Sequence, residues 1–275
     1  MRLLVVGGSG FLGAELVRQA AAAGHEVAAT CHTRPGRDEG VSWSPLDVRR
    51  RPDVEALVAA YRPEAVVNAA YRQHDWATTA TGAANVALAA AAAGSRLVHV
   101  SSDAVFSGAA IRYDETCAPD PITPYGAAKA AAETVVAAVA PSAVIARTSL
   151  IVGDGGSAQE RLVHDLAAGR AKGVLFTDDV RCPVHVADLA AALLELAASG
   201  RHGVHHVAGA DALSRYELGL LIARRDGLDP DRLPAGRRAE SGVPGPLDVR
   251  LECDATRRLL RTTLRGARRF LQPHP

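Results

Sequence analysis

Three observations predict an α/β fold in which a mostly parallel sheet is covered by helices on both faces. Short β-branched runs alternate with longer Ala- and Leu-rich stretches, the runs are apolar throughout rather than at every second position, and a glycine-rich turn follows the first of them at once. A strand buried on both faces loses the alternation of a half-exposed sheet, and strand then helix, repeated, implies right-handed crossovers. At 275 residues, 48% hydrophobic and 22% charged, the chain can bury one large core, or a core with a smaller lobe built on it.

Leu3–Val6, Val27–Thr30, Ala65–Asn68, Arg96–Ser101 and Ala143–Arg147 read as strands, and Ala14–Ala23, Pro52–Tyr61, Gly82–Ala93 and Tyr125–Ala138 as the helices between them. After Arg147 the alternation loosens. A turn at Gly153–Gly156 precedes a helical stretch Ala158–Ala168, a short run Val174–Thr177, a helix Val186–Ala198 and a strand-like Gly203–Ala208, and the sheet is expected to take back the last three. Residues 1–148, with 174–208 returning to them, therefore form the dinucleotide-binding domain. Residues 149–173 and 209–275, rich in Arg, Pro and Gly, form a smaller interleaved C-terminal substrate lobe. The arginines of Thr256–Leu271 suit the solvated face of a packed helix better than a surface for a phosphate-rich ligand.

Lys and Arg number 31 against 30 Asp and Glu, and a formal charge of +1 offers no broad field for a polyanion or an anionic membrane. Cys31, Cys117, Cys182 and Cys253 are scattered singly, with no metal-ligand spacing, which suits a reducing compartment. The first apolar run is too short for a signal segment, and no later stretch reaches a bilayer span. These features predict a cytoplasmic protein with a small-molecule substrate, no metal, and no nucleic-acid or membrane partner; a homodimer stays open.

Gly7-Gly8-Ser9-Gly10-Phe11-Leu12-Gly13 joins the first strand to the first helix. Glycines there permit positive φ, close approach of a pyrophosphate and tight helix–strand packing, while the helix N-terminus offers free N–H groups to phosphate. Two spacings fit, Gly7-x-x-Gly10-x-x-Gly13 and Gly8-x-Gly10-x-x-Gly13, and with a strand before the turn and a helix after it they point to a Rossmann-type site. The ribose 2′ position is read after the second strand, where Thr30, Cys31, His32, Thr33, Arg34 and Arg37 include no carboxylate to accept from a hydroxyl. NADP(H) is accordingly favoured over NAD(H).

Tyr125 and Lys129 are four apart at a helix start and project from one face. A nearby ammonium and a cationic nicotinamide would favour the phenolate, bringing a phenol of ordinary pKa about 10 toward acid–base work. Ser102, at the carboxyl end of a strand, stands where ligands of doubly wound sheets bind and can hold a carbonyl against the tyrosine.

These residues resemble the short-chain dehydrogenase/reductase superfamily, its extended branch, and within it the dTDP-4-dehydrorhamnose reductase family. The resemblance includes the glycine turn, Leu46-Asp47-Val48, Asn68-Ala69-Ala70, Ser101-Ser102-Asp103-Ala104-Val105-Phe106, Tyr125-Gly126-Ala127-Ala128-Lys129 and Arg147-Thr148-Ser149. It implies that Asp47 and Val48 border the adenine, that Ala69, Ala70 and Tyr71 line the path of the pyrophosphate and nicotinamide ribose, and that Ser102, Tyr125 and Lys129 are catalytic. It places Asp103, with Ser149 and Leu150, toward substrate. The chain departs from the family pattern at Leu150 and Val152, where aromatic residues are usual, and across Tyr71–Thr81, which carries Arg72, Gln73, His74, Asp75 and Trp76.

In Phe176–His185, Arg181 could meet a substrate phosphate or hydroxyl, or belong to an ion-pair cluster. His205 and His206 lie in one strand, where one at most points inward, and read as structural. The expected activity is NADP(H)-dependent reduction of a keto group, on a 4-keto nucleotide sugar. The alternatives are an epimerase or dehydratase of the same superfamily, or a non-catalytic cofactor-binding regulatory subunit.

Overall fold

A computed structural model describes residues 1–36, 38 and 40–272. Arg37, one of the residues after the second strand, lies outside them. Seven strands, β1 (Arg2–Val6), β2 (Glu26–Cys31), β3 (Ser42–Pro45), β4 (Ala65–Asn68), β5 (Arg96–Ser102), β6 (Val144–Thr148) and β7 (Gly203–His206), form one parallel sheet. Their order is β7-β6-β5-β4-β1-β2-β3, which reverses direction between β1 and β4. The longer helices are α1 (Phe11–Ala22), α2 (Arg51–Tyr61), α3 (Gly82–Ala92), α4 (Pro124–Val139), α5 (Ala158–Ala167), α6 (Val186–Ala197) and α7 (Arg215–Arg225). Among the described residues no helix is long and apolar enough to cross a membrane.

The continuous apolar runs have the cause predicted for them. Leu3 and Val5 face a core shared with Leu16 and Val17 of α1 and Leu189, Leu193 and Leu196 of α6. Leu4 and Val6 face the opposite core, with Val54 and Val58 of α2, Val86 of α3 and Val136 of α4. Alternate side chains leave the sheet on opposite sides, so both parities must be apolar. β3, sequence Ser-Trp-Ser-Pro, carries no such run; it is an edge strand, where Pro45 breaks no central ladder.

Residues 186–197 return to the main sheet because α6 buries three leucines completely, each worth roughly 1.5–3 kcal/mol. The expectation that Val174–Thr177 also rejoins the sheet is corrected. Leu175–Phe176 pairs with Ala235–Gly236 in a separate two-stranded ribbon. Leu175 packs there with Val163, Leu166, Leu218 and Ile222 in the core of the second lobe, while Val174 remains exposed. A run with one buried residue cannot compete for a central position.

The tail is corrected as well. Thr256–Leu271 is not one helix: it holds the end of a short helix, Asp254–Arg257, and the whole of another, Ala267–Phe270, separated by irregular chain. Acids from neighbouring elements bond its backbone instead, Glu195 accepting from Arg261 and Thr262 N–H, Asp188 from Arg265 N–H and Asp211 from Arg268 N–H. Both His205 and His206 are buried, not one. Thr256 Oγ1 stands 3.3 Å from Nδ1 of His205, and the Glu252 carbonyl 3.1 Å from Nδ1 of His206.

Candidate active site

The glycine turn opens at the carboxyl end of β1, beside the point where the sheet order reverses, the position at which doubly wound sheets leave a crevice. Gly7 has φ +83°, and a Cβ there would lie 2.8 Å from the Ala70 nitrogen. Its N–H donates to Thr30 Oγ1 at 2.9 Å, fixing the turn to β2, and Gly10 N–H donates back to the Gly7 carbonyl at 3.1 Å. A side chain at Gly13 would run into the same carbonyl, so α1 packs against the turn only with glycine at this position. Ser9 is exposed and Leu12 buried; Phe11, the first residue of α1, turns its ring toward Gly153 and Gly156, so near that a Cβ on Gly153 would lie 2.6 Å from it. A cradle that side chains would fill, opening on a helix N-terminus, fits a pyrophosphate.

At the adenosine end, His32, Thr33 and Arg34 are exposed beyond β2. Asp47 forms a two-pronged ion pair with Arg49, with contacts of 2.8 and 2.7 Å, which holds its carboxyl down to about 2. Val48 is buried, its carbonyl accepting from Asn85 Nδ2 at 2.9 Å and its side chain packed where a Cβ on Gly82 would sit.

Ser102 ends β5 and caps a single helical turn, its Oγ accepting from Ala104 N–H at 3.2 Å. Thr123 caps α4 and Pro124 starts it, so Tyr125 lies in the first turn. Gly126 lets that turn press against the Ala104 carbonyl, because any Cβ would collide with it. Tyr125 is thereby delivered to Ser102. Burial, reinforced by Tyr71, pushes the phenol well above its usual range, while the Ser102 hydroxyl pulls it down. Lys129 is buried and donates to the Val100 carbonyl at 2.9 Å; burial lowers it to about 8 against the opposing pull of Glu133. Tyr71, half exposed, lines both: its ring is 5.9 Å from that of Tyr125, and the Lys129 ammonium is 5.3 Å from its centroid. The phenol therefore keeps its proton through neutral pH, a held donor rather than a phenolate. Ala69 and Ala70 run from β4 past Gly7 toward Tyr71.

An ammonium population falls as pH rises through its pKa. If catalysis needs Lys129 charged, kcat/KM should decline as pH rises through about 8. A profile flat from about pH 7 to 10 would show that this charge is not required.

The substrate-side residues also meet. Ser102 Oγ donates to Asp103 Oδ1 at 3.2 Å, Ser149 Oγ donates to Asp103 Oδ2 at 2.6 Å, and Ser149 accepts from Cys182 N–H at 3.2 Å. Arg181 is 3.8 Å from Asp103, but its guanidinium also bonds the Val180 and Pro246 carbonyls and pairs with Asp179, and it is buried. Leu150 leans on the core of the second lobe. Sequence reasoning missed Arg215 and Arg238, which join Arg181 on fully buried Asp179 with contacts of 3.4 and 2.5 Å. Three cations on one carboxylate leave surplus positive charge a short way from Ser102; no local motif signals partners 36 and 59 residues apart.

A family model described as the RmlD substrate binding domain matches residues 1–272. The dTDP-4-dehydrorhamnose reductase of Mycobacterium tuberculosis is 34% identical over 261 residues, spanning 89% of this chain and 82% of that protein. A dTDP-4-keto-6-deoxy-D-glucose reductase of Streptomyces niveus is 30% identical over 84% of this chain and 81% of its own. The crystal structure of dTDP-4-dehydrorhamnose reductase from Bacillus anthracis, solved with NADP, superposes with TM-score 0.85 over 98% of this chain and 96% of that one, at 23% identity.

Proposed function

This chain belongs to the RmlD substrate binding domain family, and we propose that it is an NADP(H)-dependent reductase of a keto group on a 4-keto nucleotide sugar. The convergence of Ser102, Tyr125 and Lys129 on the crevice beside the glycine turn carries this reading. Gly7, Ser9, Gly10, Phe11, Leu12 and Gly13 would hold the pyrophosphate, Asp47 and Val48 the adenine, and Ala69, Ala70, Tyr71 and Lys129 the nicotinamide ribose. When bound, the reduced nicotinamide supplies the hydride.

Ser102 holds the carbonyl oxygen of the substrate, and Tyr125 donates its phenolic proton to that oxygen as the alcohol forms. Asp103 accepts from both Ser102 and Ser149; with substrate present the Ser102 hydroxyl turns from Asp103 to the carbonyl oxygen, and the freed carboxylate oxygen faces the sugar. Arg181 fixes the Pro246 loop and Asp179, while Arg215 and Arg238, less buried than Arg181, turn the surplus charge of the cluster toward a diphosphate. Arg34, which among the described residues forms no ion pair, favours a 2′-phosphate, so NADPH should bind more tightly than NADH.

A panel of 4-keto nucleotide sugars with NADPH tests the assignment. The expected result is loss of NADPH absorbance in step with alcohol formed. Turnover with no net change in the cofactor would instead identify an epimerase or dehydratase. Binding of NADPH with no turnover across the panel would identify a regulatory subunit.

A further inference from the structure

We propose that Arg72 is a second cation for the adenosine 2′-phosphate, reaching from the far side of the dinucleotide groove to stand with His32 at the end of β2. The inference rests on the NADP(H) reading above. β1 lies between β4 and β2, so a side chain from the loop after β4 that touches a residue after β2 passes over the carboxyl end of β1, where the glycine turn opens. Arg72 does so: its Nη2 is 3.3 Å from His32 Nδ1.

This reach has a fixed origin. Thr79, 1% exposed, accepts from Arg72 N–H at 3.1 Å and donates to the Arg72 carbonyl at 2.7 Å. Thr79 lies within a single π turn, Ala77–Thr81, a local widening of the helix start frequent at functional sites. The backbone of Arg72 is thus clamped while its guanidinium is exposed.

The chemistry of the contact selects an anion. Two basic side chains meet, and the guanidinium uses one of five donors on an imidazole lone pair. The nearby carboxylates are otherwise engaged, Asp47 at 2.7 Å and Asp75 at 3.6 Å from Arg49. Among the described residues neither Arg72 nor Arg34 forms an ion pair. A phosphate set between Arg72, His32 and Arg34 would receive charge-assisted bonds from both edges of the groove. The 2′-phosphate is the group that falls there, since the 2′ position is read at the end of β2 and the pyrophosphate sits at the start of α1.

Titration of the purified protein with NADPH, NADH and 2′,5′-ADP provides the test, on the parent, Arg72→Gln and Arg34→Gln. Arg72→Gln should weaken NADPH and 2′,5′-ADP about tenfold, the effect of losing one charge-assisted bond, and leave NADH unchanged. Arg34→Gln should act in the same direction, and unchanged NADH affinity reports an intact fold in both. Equal weakening of NADPH and NADH by Arg72→Gln would place Arg72 on the pyrophosphate and overturn the proposal. A parent that prefers NADPH, with that preference intact in Arg72→Gln, would overturn Arg72 while sparing the cofactor reading. A parent that binds NADPH and NADH equally would overturn both.

Discussion

Tyr125→Phe should lower kcat by roughly 10²–10⁴-fold, the range for removing a general acid, while leaving NADPH affinity essentially intact. The substitution deletes one oxygen. The ring keeps its place against Tyr71 at 5.9 Å, and the backbone of α4 is held by Thr123 and by the contact of Gly126 with Ala104 rather than by the phenol. Loss of turnover is therefore loss of the proton and not of the site. Because burial holds the phenol above its usual range, it stays protonated through neutral pH, the state a reduction requires of its acid. Ser102→Ala should also reduce kcat but retain the proton, so its loss should be the smaller. Single-turnover measurement of NADPH oxidation on a 4-keto nucleotide sugar separates chemistry from release; a Tyr125→Phe rate within a factor of about ten of the parent would remove the tyrosine from the mechanism.

What could be read in the sequence was what is local. β1, β2, β4, β5 and β6 stood out because both parities of each strand are buried, and the glycine turn, Ser102 and the Tyr125–Lys129 pair are short motifs whose neighbours in sequence are neighbours in space. β3 did not stand out, because an edge strand held by its ladder to β2 and by the apolar anchor of Trp43 needs no apolar run. The pairing of Leu175 with Ala235 depends on which lobe offers the better burial, a comparison no window of sequence contains. The arginines of 256–271 do not share one helix: Arg257 ends one short helix, Arg268 and Arg269 lie in another, and acids on other elements, Asp188, Glu195 and Asp211, bond the backbone of this stretch. Asp179 was visible only as one of two acids in a loop; its burial under three arginines is a tertiary fact. The interaction of Arg72 with His32, 40 residues apart, is another.

The second large effect is on stability, at a pair the reaction does not touch. Glu133 and Arg147 lie between the sheet and α4 with side chains 5% and 3% exposed. Arg147 Nη2 and Nε bond the carboxylate at 2.8 and 3.1 Å and Nη1 bonds the Cys117 carbonyl at 3.0 Å, while the Ser101 hydroxyl adds a bond to Glu133. Arg147→Met leaves a buried carboxylate with the Ser101 hydroxyl as its hydrogen-bond partner and the Lys129 ammonium one turn away, and breaking such a pair from one side costs about 3–5 kcal/mol. The exposed Arg50–Asp53 pair, 69% and 45% exposed, is the control: Arg50→Met should leave stability nearly unchanged, because a solvated pair gains little over its hydrated parts. Urea denaturation of both variants measures the contrast. Adding Glu133→Leu to Arg147→Met should return part of the loss, since the unpaired carboxylate is gone, though Lys129 then loses the charge that opposes its burial and Ser101 and the Cys117 carbonyl stay unpaired, which holds the recovery below the parent. Glu133 is one turn beyond Lys129 on α4, and Ser101 precedes Ser102 on β5, so the same pair ties together the two elements that carry the catalytic groups. If Arg147→Met proved no more costly than Arg50→Met, that tie would have to come from the apolar contacts of Val136 and Leu97 instead.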